Sequence, residues 1–242
     1  MTAAQLINVL YSIVDRIYIG RLPHTSAEAL TGIGLTLPVI TIITAFANLF
    51  GMGGAPLCSI ARGEHNEEKA EKVMGNSFVL LLISGGVLMI LCLIFKRPLL
   101  YLFGASDVSW PYADQYITIY LLGTFFVMIS LGMNNFINAQ GFGKTGMLTV
   151  LLGAVLNIVL DPVLIFGFDM GVRGAAVATI ISQGASAFWV LKFLTGKKAL
   201  LHLNLKGMRL EWKRVKEIVL LGTSGFVMSV TNGLVQIASN AM

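Results

Sequence analysis

The sequence predicts an all-α integral membrane protein, and three observations carry that prediction. Of its 242 residues, 56% are hydrophobic and only 12% are charged, against about 45–50% and about 25% in soluble domains. Mean hydropathy is +0.80. The apolar residues lie in continuous runs of about 20 residues or more, the length that a helix needs to cross a bilayer. Strands of a membrane barrel would be about half that length and would alternate in polarity. So little charge cannot wet the surface of a soluble enzyme of this size, and so apolar a chain is not a disordered one. Cys58 and Cys92 both sit inside apolar runs, so the sequence indicates neither a disulfide framework nor a zinc site.

Seven runs are long enough to span. Residues 2–20 carry Asn8, Tyr11, Ser12 and Asp15 at spacings of three and four, a polar stripe on one face of an apolar helix. In a membrane such a stripe must face protein or a water-filled cavity. Residues 31–60 would extend about 45 Å at helical rise, more than a core of about 30 Å. With Pro38 and Pro56 inside it, this run is expected to kink or protrude. Residues 73–95 form the third run. Residues 112–139 form the fourth, where Asn134 and Asn138 stack one turn apart with Asn135 beside them. Residues 147–168, 175–194 and 218–242 complete the set.

The connectors are short and polar, which favours antiparallel neighbours. Residues 196–217 are longer and mix Leu with Lys and Arg, the composition of an amphipathic segment lying on the membrane surface. Of the 17 basic residues, 12 flank the even-numbered connectors and 5 lie on the opposite side. The positive-inside rule places the richer side, and with it the N-terminus, in the cytoplasm of a multi-pass cell-membrane protein. The net charge of +5 is thereby a topology signal, and no nucleic-acid role is expected. The first run starts without a basic flank and the last one stops without a polar anchor, so the chain is expected to be a fragment.

Only Asp15 and Asp161 fall well inside apolar runs among the 12 acidic residues. Charge in a bilayer costs about 2.5–3.5 kcal/mol on insertion scales, which makes an intramembrane acid a functional candidate. Asp161 has Asn157 four residues earlier, on the same helix face, and Pro162 directly after it. The proline lacks an N–H, so it withdraws a partner from the carbonyl of Ile158 and bends the helix. A carboxylate, an amide and a carbonyl together make an oxygen-rich nook suited to a proton, a water or Na⁺. Thr179 and Gln183 form a further polar pair one turn apart in the sixth run. No protease, lipase or phosphate-loop signature occurs, and a protein that is not an enzyme is expected, with no cofactor.

The segments YSIVDRIYIGRL (11–22) and NIVLDPVLIFGFDMGVRGAAVATIISQ (157–183), with the charged connector after the second run, resemble the multidrug and toxic compound extrusion (MATE) family of bacterial drug exporters. The resemblance covers essentially the whole chain, and Asn-x-x-x-Asp-Pro followed by Gly-x-x-Gly-Ala-Ala is its most specific part. It implies twelve helices in two six-helix lobes working by alternating access, with small cationic or amphipathic drugs leaving as H⁺ or Na⁺ enters. Residues 1–195 would be the N-terminal lobe with a shortened first helix. Residues 196–217 would be the inter-lobe linker, and residues 218–242 the start of helix seven. The missing lobe would supply the second wall of the substrate cavity. The family's cation site falls by position on Asp15, Asn157, Asp161 and Thr179. A Tyr and an Asn of the fourth helix are associated with it; Tyr120 with Asn135, or Tyr116, are candidates here, with Asn138 a further lining residue. Na⁺, where it couples, would sit at Asp161 and Asn157.

Three other readings follow from the same residues. A lipid-linked saccharide flippase of the same superfamily would be expected to place basic groups in the cavity, whereas the groups here are acidic or amide. An intramembrane aspartyl protease would share a proton between two carboxylates, but the expected Tyr-Asp and Gly-x-Gly-Asp pair is lacking. The third is a fragment that does not transport by itself.

Overall fold

A computed structural model describes residue 14, residues 17–21 and residues 26–240. Asp15, and with it the polar stripe of the first run, lies outside the described residues. The described elements are helical: α1 (Ser26–Gly34), α2 (Leu37–Gly63), α3 (Glu67–Leu102), α4 (Trp110–Leu122), α5 (Thr124–Ala139) and α6 (Gly143–Pro162). A π-helical turn (Val163–Gly167), α7 (Val172–Leu194), a 3-10 turn (Leu205–Met208) and α8 (Trp212–Asn240) follow.

Four helical segments among the described residues are long and apolar enough to cross a membrane: Ala27–Gly63, Glu67–Leu102, Gly143–Gly167 and Val172–Leu194. A fifth is the pair α4 and α5, bent by 58° at Gly123. These correspond to the second to sixth apolar runs. The second run starts α2 with Pro38 in its first turn, where a missing N–H costs nothing; α1 precedes it after a break at residues 35–36. The break inside the fourth run has no proline to announce it. Gly123 presses on the side chain of Ile180 from α7, which occupies the place where a Cβ would be, and the two half-helices diverge there.

The 36 residues of α3 extend about 54 Å at helical rise, so this helix outreaches the hydrocarbon core. Its start carries the charge. The Asn66 side chain accepts from the Lys69 amide at 3.0 Å, and Glu67 and Glu68 lie in the first turn, where they complement the helix dipole.

α5 is the centre of the bundle, packed against α2, α3, α6 and α7. Met128, Met133, Phe136 and Ile137 are fully buried there. The outer faces are apolar as well: Ile90, Val159 and Phe188 are 54%, 56% and 68% exposed. A protein wetted by water avoids so many large exposed apolar side chains, whereas lipid is their natural solvent.

The segment between α7 and the 3-10 turn is an extended strap rather than a helix. Ala199, Leu201 and Leu203 turn inward and are buried, while Leu200 and His202 face outward. Gln140 Oε1 accepts the amides of Leu200 and Leu201 at 2.9 and 3.0 Å. Glu71 accepts the His202 amide at 2.9 Å and Asn204 Nδ2 at 2.6 Å. Asn76 donates to the carbonyls of Gly207 and Arg209, and its oxygen accepts the Glu211 amide. The linker's amphipathic pattern is thus spent on the bundle itself. α8 starts at Trp212 and takes the last charged residues of the linker into its first turns.

Candidate functional site

The centre of the site is set by helical period. Asn157 and Asp161 stand one turn apart on α6, and Asn157 Nδ2 donates to Asp161 Oδ1 at 3.2 Å. Asp161 is 0% exposed and Asn157 3% exposed. Among the described residues, Asp161 is the one acid or base buried to this degree. Where burial is so complete, charge is tolerated only beside a partner or a bound cation.

Pro162 ends the α-helical register, and five residues of π-helix follow it. The bonding shifts from four residues to more: the amide of Phe168 donates to the Val163 carbonyl, and those of Met170 and Gly171 reach the carbonyls of Leu164 and Ile165. Such wide turns inside helices recur at functional sites because they redirect carbonyls and side chains. The expected kink is therefore a change of helical register placed directly after the carboxylate.

The Gly-x-x-Gly-Ala-Ala stretch explains itself here. Gly171 has a φ of +53°, a conformation that favours glycine. A Cβ on Gly174 would lie 2.7 Å from the backbone of Leu164. Gly171 turns the chain and Gly174 lets α7 start flush against the π-helical turn; Ala175, Ala176 and Ala178 beyond them are fully buried. This close seam fixes the height of Thr179 relative to Asn157.

Both residues line a cleft between α5, α6 and α7, with about 70 Å³ of space open to water-sized groups. Thr179 is partly buried, and its hydroxyl donates to the Ala175 carbonyl at 3.0 Å, which leaves its oxygen free to accept. Asn157 and Thr179 thus share one cleft, and Asp161 joins them through its bond to Asn157. They supply a carboxylate, an amide oxygen and a hydroxyl, the hard oxygen donors that suit Na⁺ and that can equally hold a proton. No cluster of three or more His, Cys, Asp or Glu occurs among the described residues, so the donor set does not resemble that of a transition-metal site.

The fourth-helix candidates separate. Tyr116 and Tyr120 are each 5% exposed on α4 and stack with ring centroids 6.2 Å apart and planes 16° apart; α4 packs on α7. Asn135 faces α2 instead. Its Nδ2 caps the Leu131 carbonyl at 3.0 Å and lies against Gly51. Asn138 is exposed near the 140–146 connector. The cleft takes Asn134, whose Nδ2 donates to the Gly146 carbonyl at 3.2 Å. It also takes Gln183, bonded to the Ser130 hydroxyl, and Thr149, Ser182 and Ser186, which no sequence motif singled out. One signal was there. Thr149, Gly153, Asn157 and Asp161 recur every fourth residue, a single small-and-polar face of α6.

Comparison with known proteins bears on the family and the fold. The MatE family model matches residues 1–163. The chain is 30% identical over 240 residues to the multidrug export protein MepA of Staphylococcus haemolyticus (strain JCSC1435), covering 99% of this chain and 53% of that protein. It is 29% identical, with the same coverage, to MepA of Staphylococcus aureus (strain NCTC 8325 / PS 47). Among solved structures, an inward-facing multidrug resistance MATE family transporter of the MOP superfamily superposes with a TM-score of 0.89 at 26% identity, over 98% of this chain and 52% of that one. An outward-facing conformation gives 0.86 at 28% identity, over 94% and 50%. The chain spans about half the length of the curated relatives it matches.

Proposed function

The chain belongs to the MATE family, a family of transporters and not of enzymes, and from that premise we propose that it forms the N-terminal half of a secondary active multidrug exporter. In this reading residues 1–195 are one lobe, residues 196–217 the linker and residues 218–242 the start of the second lobe. The cargo is small and cationic or amphipathic, and the counter-ion is H⁺ or Na⁺. The side bearing the 140–146 connector and the Lys- and Arg-rich flanks is cytoplasmic.

The observation that carries the proposal is the fully buried Asp161 held by Asn157 at 3.2 Å, at the point where α6 turns π-helical. A carboxylate in this setting is costly while charged. A proton or Na⁺ arriving at Asp161 removes that cost, and the adjoining register shift offers a backbone that can repack once the charge is gone. A cationic drug and the counter-ion then compete for the same negative charge, which is the thermodynamic content of antiport.

The test uses the whole gene product in energised membrane vesicles. Asp161→Asn is expected to abolish cation-driven efflux of a cationic dye while the protein stays folded and inserted. An Asp161→Asn protein that still exports dye against a gradient with unchanged ion coupling would sink the proposal. Replacing the Na⁺ gradient with a pH gradient, each imposed alone, separates the two counter-ions.

A further inference from the structure

The cleft between α5, α6 and α7 extends well beyond the pair that the proposed function uses. From Asn157 it runs toward the 140–146 connector through Gly153 to Thr149 on α6, a span of about 12 Å at helical rise. Ser182 and Ser186 line it from α7, and Asn134 from α5. Two of its polar atoms have no hydrogen-bond partner among the described residues. Ser182 is 2% exposed and its Oγ is unpaired; Asn134 uses its amide nitrogen on Gly146 while its Oδ1 is unpaired. Within a bilayer such groups must be satisfied, and an apolar cleft would have been closed by larger side chains. Gly153 instead lets α7 bring a hydroxyl against α6: a Cβ there would lie 2.6 Å from Ser186 Oγ. Buried water stably occupies spaces of this kind, where two to four polar partners converge.

We propose that this cleft holds a file of water and is the aqueous route by which the cation at Asn157 and Asp161 exchanges with the side of the membrane that bears the 140–146 connector. The proposal rests on the reading of Asp161 as the cation site. Thr149, Ser182 and Ser186 act as positioning residues for the water: Ser182 offers a donor and an acceptor, while Thr149 and Ser186, whose hydroxyls donate to the carbonyls of Thr145 and Thr149, offer oxygen lone pairs. A hydrated file spares the cation a dry passage through the bundle, the same cost that makes an intramembrane charge expensive.

Thiol reactivity reads the route without any export assay. In a background of Cys58→Ala and Cys92→Ala, Ser182→Cys and Met133→Cys are compared, using a small membrane-impermeant methanethiosulfonate. Met133 is 0% exposed in the packed core and controls for burial without water. Ser182→Cys is expected to react at least tenfold faster than Met133→Cys, and from the same side of the membrane as Lys144→Cys in the connector. Gly153→Leu is expected to slow Ser182→Cys at least tenfold while leaving Lys144→Cys unchanged. A Ser182→Cys as inert as Met133→Cys, or one that reacts only from the opposite side, overturns the route. The Asp161 reading is judged separately by the dye assay, so an inert Ser182→Cys in a transporter uncoupled by Asp161→Asn would remove the route alone.

Discussion

Gly53 of α2 and Gly222 of α8 pack with no side chain between them. A Cβ on Gly53 would lie 2.9 Å from the Gly222 amide nitrogen, and one on Gly222 would overlap the Leu49 carbonyl. Small residues let helices in lipid approach backbone to backbone, where dispersion takes over the role that water plays in soluble cores. The seam continues through Phe46, edge-on to Phe226 at 5.2 Å, and through Asn48, which donates to the Ser229 hydroxyl at 2.9 Å. α2 is the main neighbour of α8, so these contacts hold α8 against the bundle.

Gly222→Val is therefore expected to separate α8 from α2, at a cost of roughly 1–3 kcal/mol for the overpacking. An Asn48→Cys/Ser229→Cys pair, with Cys58 and Cys92 replaced by Ala, should cross-link under mild oxidation. Adding Gly222→Val should cut the cross-linked fraction severalfold. Unchanged cross-linking would mean that the seam tolerates a side chain and that the backbone contact is not what holds it.

The strap of residues 199–211 owes its place to three side chains, Gln140, Glu71 and Asn76. Asn76 alone makes four bonds, to Lys72, Gly207, Arg209 and Glu211, and it is 0% exposed. Net hydrogen bonds contribute about 1 kcal/mol each, and a buried group left unpaired costs about 1–3 kcal/mol. Asn76→Leu should accordingly raise the open population of the strap by roughly ten- to a hundredfold. Limited trypsin digestion at Lys198 or Arg209 reads this as a faster first cut; equal rates in both proteins would show that the strap is held by Leu201 and Leu203 instead.

The bend at Gly123 predicts a compensating pair. Ile180 fills the space beside Gly123, so Gly123→Ala should lower the melting temperature in detergent by several degrees, in keeping with about 1–3 kcal/mol of overpacking. Shortening the neighbour with Ile180→Ala in the same protein should recover most of that loss. No recovery would place the strain in the backbone at residue 123 rather than in this contact.

Legibility in the sequence follows what a single helix can specify alone. Asn157 and Asp161 were recoverable because a period of 3.6 residues puts positions four apart on one face, whatever surrounds them. The choice between Asn134 and Asn135 was not, because which face of α5 meets α6 and which meets α2 is decided by packing. The fourth run hides its bend for a similar reason. Residues 112–139 are apolar throughout, and glycine is common in membrane helices, so Gly123 reads as one small residue among many until Ile180 is seen against it. The Leu-rich linker has the composition of a surface helix, yet Gln140, Glu71 and Asn76 are too far away in sequence to announce that they will bind its backbone.

The Asn157–Asp161 bond can be weighed apart from everything else that touches the carboxylate. A double-mutant cycle with Asn157→Leu, Asp161→Leu and the combined variant cancels the contributions that each residue makes to other neighbours. With both partners buried and the bond at 3.2 Å, the coupling is expected to be about 1 kcal/mol or more. Asn157→Leu should be the more damaging single change wherever the Asp161 carboxyl is ionised, because it then leaves a charge buried with one donor fewer, whereas Asp161→Leu orphans only a neutral amide. Denaturation of the detergent-solubilised protein measures all four corners. Coupling below about 0.5 kcal/mol would mean that Asn157 merely accompanies Asp161 on the helix face. The amide would then have to be dropped from the cation site and kept only as part of the cleft wall.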